Sequence, residues 1–160
     1  MQGRDARTGR PTAIVNHADV RRMLLTMKSL TMAARGLAYS GAGSLDVATH
    51  APSADERRAA AARAELLTPV VKAWCTEVAI EVTSLAVQTL GGMGYTEDAG
   101  AAQCYRDARI TAIYEGTNAI QAQDLLGRKV LRDGGEVLGA LLAEMRAAAA
   151  ALDDSDARSG

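Results

Sequence analysis

Residues 53–90 read SADERRAAAARAELLTPVVKAWCTEVAIEVTSLAVQTL and decide the fold class. The stretch opens with Ser53 and, three residues later, Glu56, which is the spacing of a helix-starting capping box. Pro69 lies inside the stretch and is a candidate kink. Apolar residues recur at helical spacing at Leu66, Leu67, Val70, Trp74, Val78, Val82, Leu85 and Leu90. We therefore predict one long helix here.

A second apolar stripe of the same kind precedes the first, from His17 to about Thr49, and a proline-containing break at 51–53 separates the two. A loop and a short helix are predicted through 103–109, and two further helices near the end of the chain, at about 118–131 and 136–152. The chain is also rich in alanine and contains no phenylalanine, a composition that favours helix over sheet. Two long helices joined by a short break form an antiparallel hairpin, so we predict an all-α, antiparallel helical bundle.

The chain divides into four predicted regions. Residues 1–16 are expected to form an extended N-terminal segment, because they are polar and contain glycine and proline. Residues 17–131 form the main helical domain, and residues 132–152 begin an additional helical region. Residues 153–160 are small and polar, which predicts a disordered tail.

Composition narrows the function classes. The net charge is −1 and no basic stripe is present, which argues against nucleic-acid binding. The two cysteines, Cys75 and Cys104, match neither a zinc pattern nor a disulfide framework, and they suit a reducing compartment. No signal peptide and no long apolar segment is found, so we expect a cytoplasmic protein without a membrane span.

Candidate chemistry lies in residues 88–121, QTLGGMGYTEDAGAAQCYRDARITAIYEGTNAIQ, where two glycine-containing breaks expose backbone. Gly91 and Gly92 in the first break have two interpretations. They form either the C-cap of the preceding helix or a loop that packs against the pyrophosphate or ribose of a cofactor. On spacing alone the C-cap is favoured.

The second break contains Glu115. Asn118 with Gln121 three residues on is a capping-box spacing, and Thr117 is another candidate N-cap. Glu115 would then lie just before a helix N-terminus, where its charge interacts favourably with the helix dipole. Spacing alone favours that structural role over a catalytic one.

Arginines and tyrosines nearby also have structural interpretations. Arg106 and Arg109 either form ion pairs or meet a phosphate, and ion pairs are favoured. Tyr95 and Tyr114 are expected to pack at the loops.

Taken together, these motifs resemble the acyl-CoA dehydrogenase family. The family's Q-x-x-GG-x-G-Y turn matches Gln88–Tyr95, its strand-like R-D-A-R-I run matches Arg106–Ile110, and its I-Y-E-G-T-N motif matches Ile113–Asn118. The resemblance covers about residues 2–131 and implies that 17–131 is the family's C-terminal helical domain. The particular sequence looks most like the larger bacterial members, including the 3-methylmercaptopropionyl-CoA dehydrogenase-like branch.

The resemblance implies a role for each residue of the two turns. Glu115 is implied as the catalytic base and Gly116 as a contact of the substrate thioester. The implied contacts of FAD are Gln88, Gly91 and Gly92 on its adenosine diphosphate half, and Thr117, Asn118 and Ala119 on the flavin.

The implied reaction is FAD-dependent α,β-dehydrogenation of an acyl-CoA, within fatty acid metabolism. The implied partners are the acyl-CoA substrate, further copies in a homo-oligomer, and an electron-transferring flavoprotein. Because the family's N-terminal helical and β domains have no counterpart here, the chain is expected to be a fragment. Two alternatives stay open: an oxidase of the same family, and a non-enzymatic helical oligomerisation module.

Overall fold

A computed structural model of the chain describes residues 2–5, 7–114 and 116–159, with side chains described only within 3–152. The described residues are almost entirely helical, which confirms the predicted all-α fold class. The α-helices are α1 (Ala18–His50), α2 (Ala54–Leu90), α3 (Gly92–Tyr95), α4 (Ala101–Thr111), α5 (Asn118–Gln123) and α6 (Glu136–Ser159).

The two long helices begin and end close to the predicted positions. At the start of α2, the backbone N–H of Glu56 donates a 3.4 Å hydrogen bond to Oγ of Ser53, as the capping box predicts. The helix then continues through Pro69, whose side chain is fully buried. Packing therefore accommodates a residue that cannot donate the usual backbone hydrogen bond.

The N-terminal segment contains a small hairpin in place of a simple extended chain. Strands β1 (Gln2–Arg4) and β2 (Pro11–Ala13) pair antiparallel, with Gly3 opposite Thr12. The carboxylate of Asp5 accepts 2.8 Å hydrogen bonds from the backbone N–H groups of residues 7 and 8, which closes the turn. These backbone donors lower the pKa of Asp5. A 3₁₀-helix, Ile14–Asn16, leads into α1.

The short helix predicted through 103–109 lies within α4, whereas the strand-like form that the resemblance implied for Arg106–Ile110 is wrong. The helix starts after Gly100, whose φ of 73° suits glycine. Its alanines at 101, 102 and 108 are buried, so the small side chains let one face of α4 pack closely. The β-branched Ile110 and Thr111 fall only at its end, which leaves no strand-forming stretch.

The C-terminal part contains two features that the sequence did not predict. The helix that begins with α5 changes at Asp124 into a π-helix, Asp124–Val130, in which the N–H of Leu131 bonds to the carbonyl of Leu126 at 2.9 Å. The backbone of α6 continues to Ser159, where a disordered tail was predicted. Residues 153–159, DDSDARS, contain no proline or glycine that would interrupt the helix.

The chain forms two compact units. Unit 1 comprises residues 1–38 and 73–117, and unit 2 comprises residues 39–72 and 118–160. The buried side chains of unit 1 include Met23, Val78 and the three α4 alanines, and those of unit 2 include Ala64, Leu66, Leu67 and Pro69. Trp74, predicted to belong to the apolar face of α2, is 38% exposed, so it lies at the edge of the core.

Two ion pairs in unit 2 connect α2 with the C-terminal elements. Arg63 on α2 pairs with Glu144 on α6, and this pair lowers the pKa of Glu144. Lys129 in the π-helix lies 3.3 Å from the carboxylate of Glu65. Among the described residues, no helix is long and apolar enough to cross a membrane, and no cluster of side chains could hold a metal ion.

Candidate functional site

The first glycine break is a tight turn at the end of α2. The N–H of Gly91 donates a 3.1 Å hydrogen bond to the carbonyl of Gln88, and Gly94 donates to the carbonyl of Gly91 at 2.8 Å. Gly91 has a φ of 63°, a conformation that residues with a side chain rarely adopt. The turn therefore ends the helix, as the C-cap interpretation predicts, and directs the chain into α3.

The next two glycines of this turn have different surroundings. At Gly94 an added Cβ would lie 2.4 Å from the carbonyl oxygen of Val87, so the close approach of α3 to α2 requires glycine there. At Gly92 an added Cβ would meet nothing within 4 Å, and the residue is exposed. Internal packing therefore explains Gly94 but does not explain Gly92, whose open backbone is accessible to another molecule.

An open cavity of about 490 Å³ lies beside this turn in unit 1. Tyr95, predicted to pack at the loop, is 81% exposed at the cavity. The cavity is lined by Gln88 together with Ser84, Val87, Tyr95, Glu97, Ala102, Tyr105 and Arg106. Ser84 and Tyr105 were not among the site residues predicted from the sequence. Ser84 precedes Gln88 by one helical turn, and this spacing was the available signal.

Arg106 forms an ion pair, the role that the sequence analysis favoured over contact with a phosphate. Its Nη2 donates hydrogen bonds of 2.8 Å to Oε2 of Glu97 and 2.9 Å to Oε1 of Gln103. The ion pair lowers the pKa of Glu97 and raises the pKa of Arg106, because each charge stabilises the other. The 3₁₀-turn Glu97–Ala99 is thereby fastened to α4 at the cavity wall.

The second glycine break follows α4. Glu115 lies outside the described residues. Gly116 has a φ of 84° and is exposed, as is Thr117. These two residues belong to unit 1, which also contains Gln88, Gly91 and Gly92. The structure therefore assigns both glycine turns up to Thr117 to one compact unit.

The remaining predicted flavin contacts, Asn118 and Ala119, are the first two residues of α5. Asn118 is half-buried at its first position and Ala119 is exposed at its second. Both belong to unit 2. α5 therefore starts within one residue of the position that the capping-box spacing predicts, and Thr117, the other candidate N-cap, directly precedes its first residue.

Comparison with known proteins identifies the family. The model of the family described as "Acyl-CoA dehydrogenase, C-terminal domain" matches residues 4–131, and the chain belongs to this family. The 3-methylmercaptopropionyl-CoA dehydrogenase of Ruegeria pomeroyi is 61% identical over 122 residues, which are 76% of this chain and 21% of that protein.

Two further relatives support the same membership. A butyryl-CoA dehydrogenase of Syntrophomonas wolfei is 38% identical over 137 residues, 86% of this chain and 22% of the relative. A broad-specificity linear acyl-CoA dehydrogenase of Mycobacterium tuberculosis is 40% identical over 134 residues, 82% of this chain and 22% of the relative. The chain thus spans about a fifth of the length of the curated relatives that it matches.

Proposed function

We propose that this chain provides the flavin-binding and catalytic-base part of an FAD-dependent acyl-CoA dehydrogenase. The observation that carries the proposal is the family match over residues 4–131, which includes both glycine turns. The relatives named above are acyl-CoA dehydrogenases by name. Sequence and structure agree on a glycine-dependent first turn, because Gly91, the first of the two adjacent glycines, has a positive φ.

The residues of the first turn fit a dinucleotide cofactor. The backbone at Gly92 is exposed with open space above it, so a pyrophosphate or ribose can approach the main chain closely. The exposed carboxamide of Gln88 offers both a donor and an acceptor to such groups. We therefore propose that Gln88, Gly91 and Gly92 hold the adenosine diphosphate half of FAD, and that Thr117, Asn118 and Ala119 contact the flavin.

The proposed chemistry assigns proton abstraction to Glu115. Its carboxylate takes the proton from Cα of the acyl-CoA, and the electron pair of that C–H bond forms the α,β double bond as a hydride leaves Cβ. Bound FAD supplies the hydride acceptor, since the protein's part in such chemistry is orientation and electrostatics. Gly116, with no side chain, leaves room for the thioester beside the base.

The carboxylate form of the base is favoured by its place in the sequence. Glu115 precedes the first residue of α5 by three positions in the sequence, so we expect its charged form to interact favourably with the positive end of that helix dipole. A carboxylate is the form that can accept the proton from Cα.

The remaining parts of the proposal follow from the family. We propose an electron-transferring flavoprotein as the acceptor of the electrons, a homo-oligomer as the assembled state, the cytoplasm as the location and fatty acid metabolism as the process.

A chimera tests the proposal directly. The matching 122 residues of the Ruegeria pomeroyi relative are replaced by the corresponding residues of this chain, which are 61% identical. We expect a yellow protein whose flavin absorbance is bleached anaerobically by 3-methylmercaptopropionyl-CoA. A folded chimera that is colourless, or yellow but not bleached, would contradict the proposal. A folded chimera that forms a homo-oligomer but binds no flavin would favour the non-enzymatic oligomerisation module.

A further inference from the structure

A second open cavity, of about 420 Å³, lies entirely within unit 2. Its charged lining residues are Glu65 from α2, Arg128 and Lys129 from the π-helix, and Arg132 and Asp133 from the turn that follows. None of these residues belongs to the proposed flavin and substrate site. A cavity of this size is large enough for a small organic ligand.

Three cations of this cavity come from one short stretch of chain. Arg132 follows Arg128 by four residues and Lys129 by three, and all three line the cavity. Like charges so close together repel one another, and they raise the positive potential of the space that they share. We call these three residues the basic cluster.

Two members of the basic cluster are held in place by carboxylates. Nε of Arg128 lies 2.5 Å from the carboxylate of Asp124, and Nζ of Lys129 lies 3.3 Å from that of Glu65. The side chains of Asp124 and Lys129 are only 17% and 23% exposed. Each ion pair is therefore anchored on one side by a partly buried group.

Arg132 is the member without a counter-charge. Within the part of the chain that the structure describes, its exposed guanidinium forms no ion pair and no hydrogen bond. The neighbouring carboxylate of Asp133 accepts hydrogen bonds from the backbone N–H groups of Gly135 and Val137 at 2.9 and 3.1 Å, so it is engaged at the start of α6. A planar guanidinium with free donors is well suited to bind a phosphate through two parallel hydrogen bonds.

The rest of the cavity lining is apolar. It consists of Ala62 and Leu66 from α2 and Val137 from α6. Leu66 is 2% exposed, so this lining is continuous with the core of unit 2. Apolar walls with a few charged groups are typical of sites for small organic ligands, in which the charged groups fix the orientation of the ligand.

We propose that this cavity binds a phosphate monoester of a small organic molecule, with the phosphate on the basic cluster and the organic group on the apolar lining. A phosphate monoester carries nearly two negative charges at neutral pH and has three strong acceptor oxygens, so Arg132 and Lys129 can donate to it together. A carboxylate has one charge and two oxygens, and it would satisfy less of the basic cluster. The carboxylate of Glu65 opposes an anion, so removing its charge should strengthen binding.

Isothermal titration calorimetry of the complete chain with phenyl phosphate tests the site. We expect saturable binding, and we expect Arg132→Gln to raise the dissociation constant about tenfold or more. Arg132→Lys should raise it less, because lysine keeps the charge but not the planar pair of donors. Glu65→Gln should lower the dissociation constant. Arg146→Gln is the matched control, because Arg146 is an exposed arginine of α6 that does not line the cavity.

Phenol and inorganic phosphate separate the two parts of the ligand. Phenol should not bind, and inorganic phosphate should bind more weakly than phenyl phosphate. The proposal would be overturned by the absence of saturable binding at millimolar phenyl phosphate, by unchanged affinity in Arg132→Gln, or by equal affinity for either reference compound. Circular dichroism should show unchanged helicity in every variant, because the substituted side chains are exposed. These titrations need no flavin, so their failure is distinguishable from failure of the proposed enzymatic function.

Discussion

Arg106 on α4 and Glu97 in the preceding 3₁₀-turn are joined by a 2.8 Å hydrogen bond between Nη2 and Oε2. This contact joins the 3₁₀-turn to the first half of α4 across the eight residues between them. Tyr95 stands just before the 3₁₀-turn, and all three residues line the open cavity beside Gln88. The ion pair therefore holds the 3₁₀-turn against α4 at the wall of the cavity.

Loss of this ion pair should change the pH dependence of stability. The folded-state pKa of Glu97 is lowered, so its contribution is present above the unfolded pKa of glutamate and is lost as the pH falls through the folded pKa. We expect Glu97→Gln to unfold at a lower temperature than the wild type at pH 7. The difference should shrink as the pH is lowered below about 4. Thermal unfolding at several pH values measures both quantities.

Asp98→Asn is the control for this measurement, since it removes an adjacent exposed carboxylate. It should change the unfolding temperature less than Glu97→Gln does. A difference between wild type and Glu97→Gln that stayed constant down to pH 3 would show that the ion pair is not its cause.

The two glycines of the first turn should respond differently to alanine. Gly94→Ala places a Cβ against the Val87 carbonyl and should destabilise the fold by about 1–3 kcal/mol, the usual cost of overpacking. Gly92→Ala enters open space and should leave stability almost unchanged. In the chimera, however, it should weaken FAD binding by blocking the approach to the backbone. Urea unfolding and flavin titration separate these effects, and unchanged FAD affinity in Gly92→Ala would remove Gly92 from the proposed site.

Glu115→Gln should separate cofactor binding from chemistry. A positioned general base typically contributes about 10²–10⁴-fold, so flavin bleaching by substrate should slow by that factor while FAD stays bound. Stopped-flow absorbance of the chimera provides the rate. Glu81→Gln, a change on an exposed position of α2, is the matched control and should bleach normally. A Glu115→Gln chimera that bleached at the wild-type rate would assign the base elsewhere.

Core and surface leucines of unit 2 should differ in their effect on stability. Leu66 is 2% exposed, so Leu66→Ala should cost about 2–5 kcal/mol through lost burial and the cavity left behind. Leu131 is 73% exposed, and Leu131→Ala should change the free energy of unfolding by no more than about 0.5 kcal/mol. Denaturant unfolding followed by circular dichroism measures both. Equal effects of the two substitutions would contradict the assigned core.

The long helices were predictable from sequence because two physical signals agree there. The capping serine at residue 53 and the apolar stripe that follows it both mark α2, and its end coincides with a glycine that the turn requires. The first glycine turn was predicted for the same reason, since a C-cap depends on local backbone conformation alone.

The strand-like form of Arg106–Ile110 was taken from the family resemblance, whereas these residues are helical in α4. The buried alanines of α4 pack as one face of the helix, and a packing partner is not visible in a short sequence motif. Similarly, the cavity beside Gln88 brings together residues from α2, the 3₁₀-turn and α4. Spacing along the chain does not reveal such an assembly, and the roles predicted for the turn residues stay predictions.

The π-helix at Asp124–Val130 affects how this region should be aligned with related chains. A π-helical turn, whose backbone hydrogen bonds join residues five apart, accommodates one residue more than an α-helical turn. The helix continues on either side of it without a break. A relative that lacks one residue here can therefore follow the same path with ordinary α-helical winding. In a sequence alignment, a one-residue gap between positions 124 and 130 therefore indicates a change of helical pitch. The aligned residues before and after the gap remain structurally equivalent.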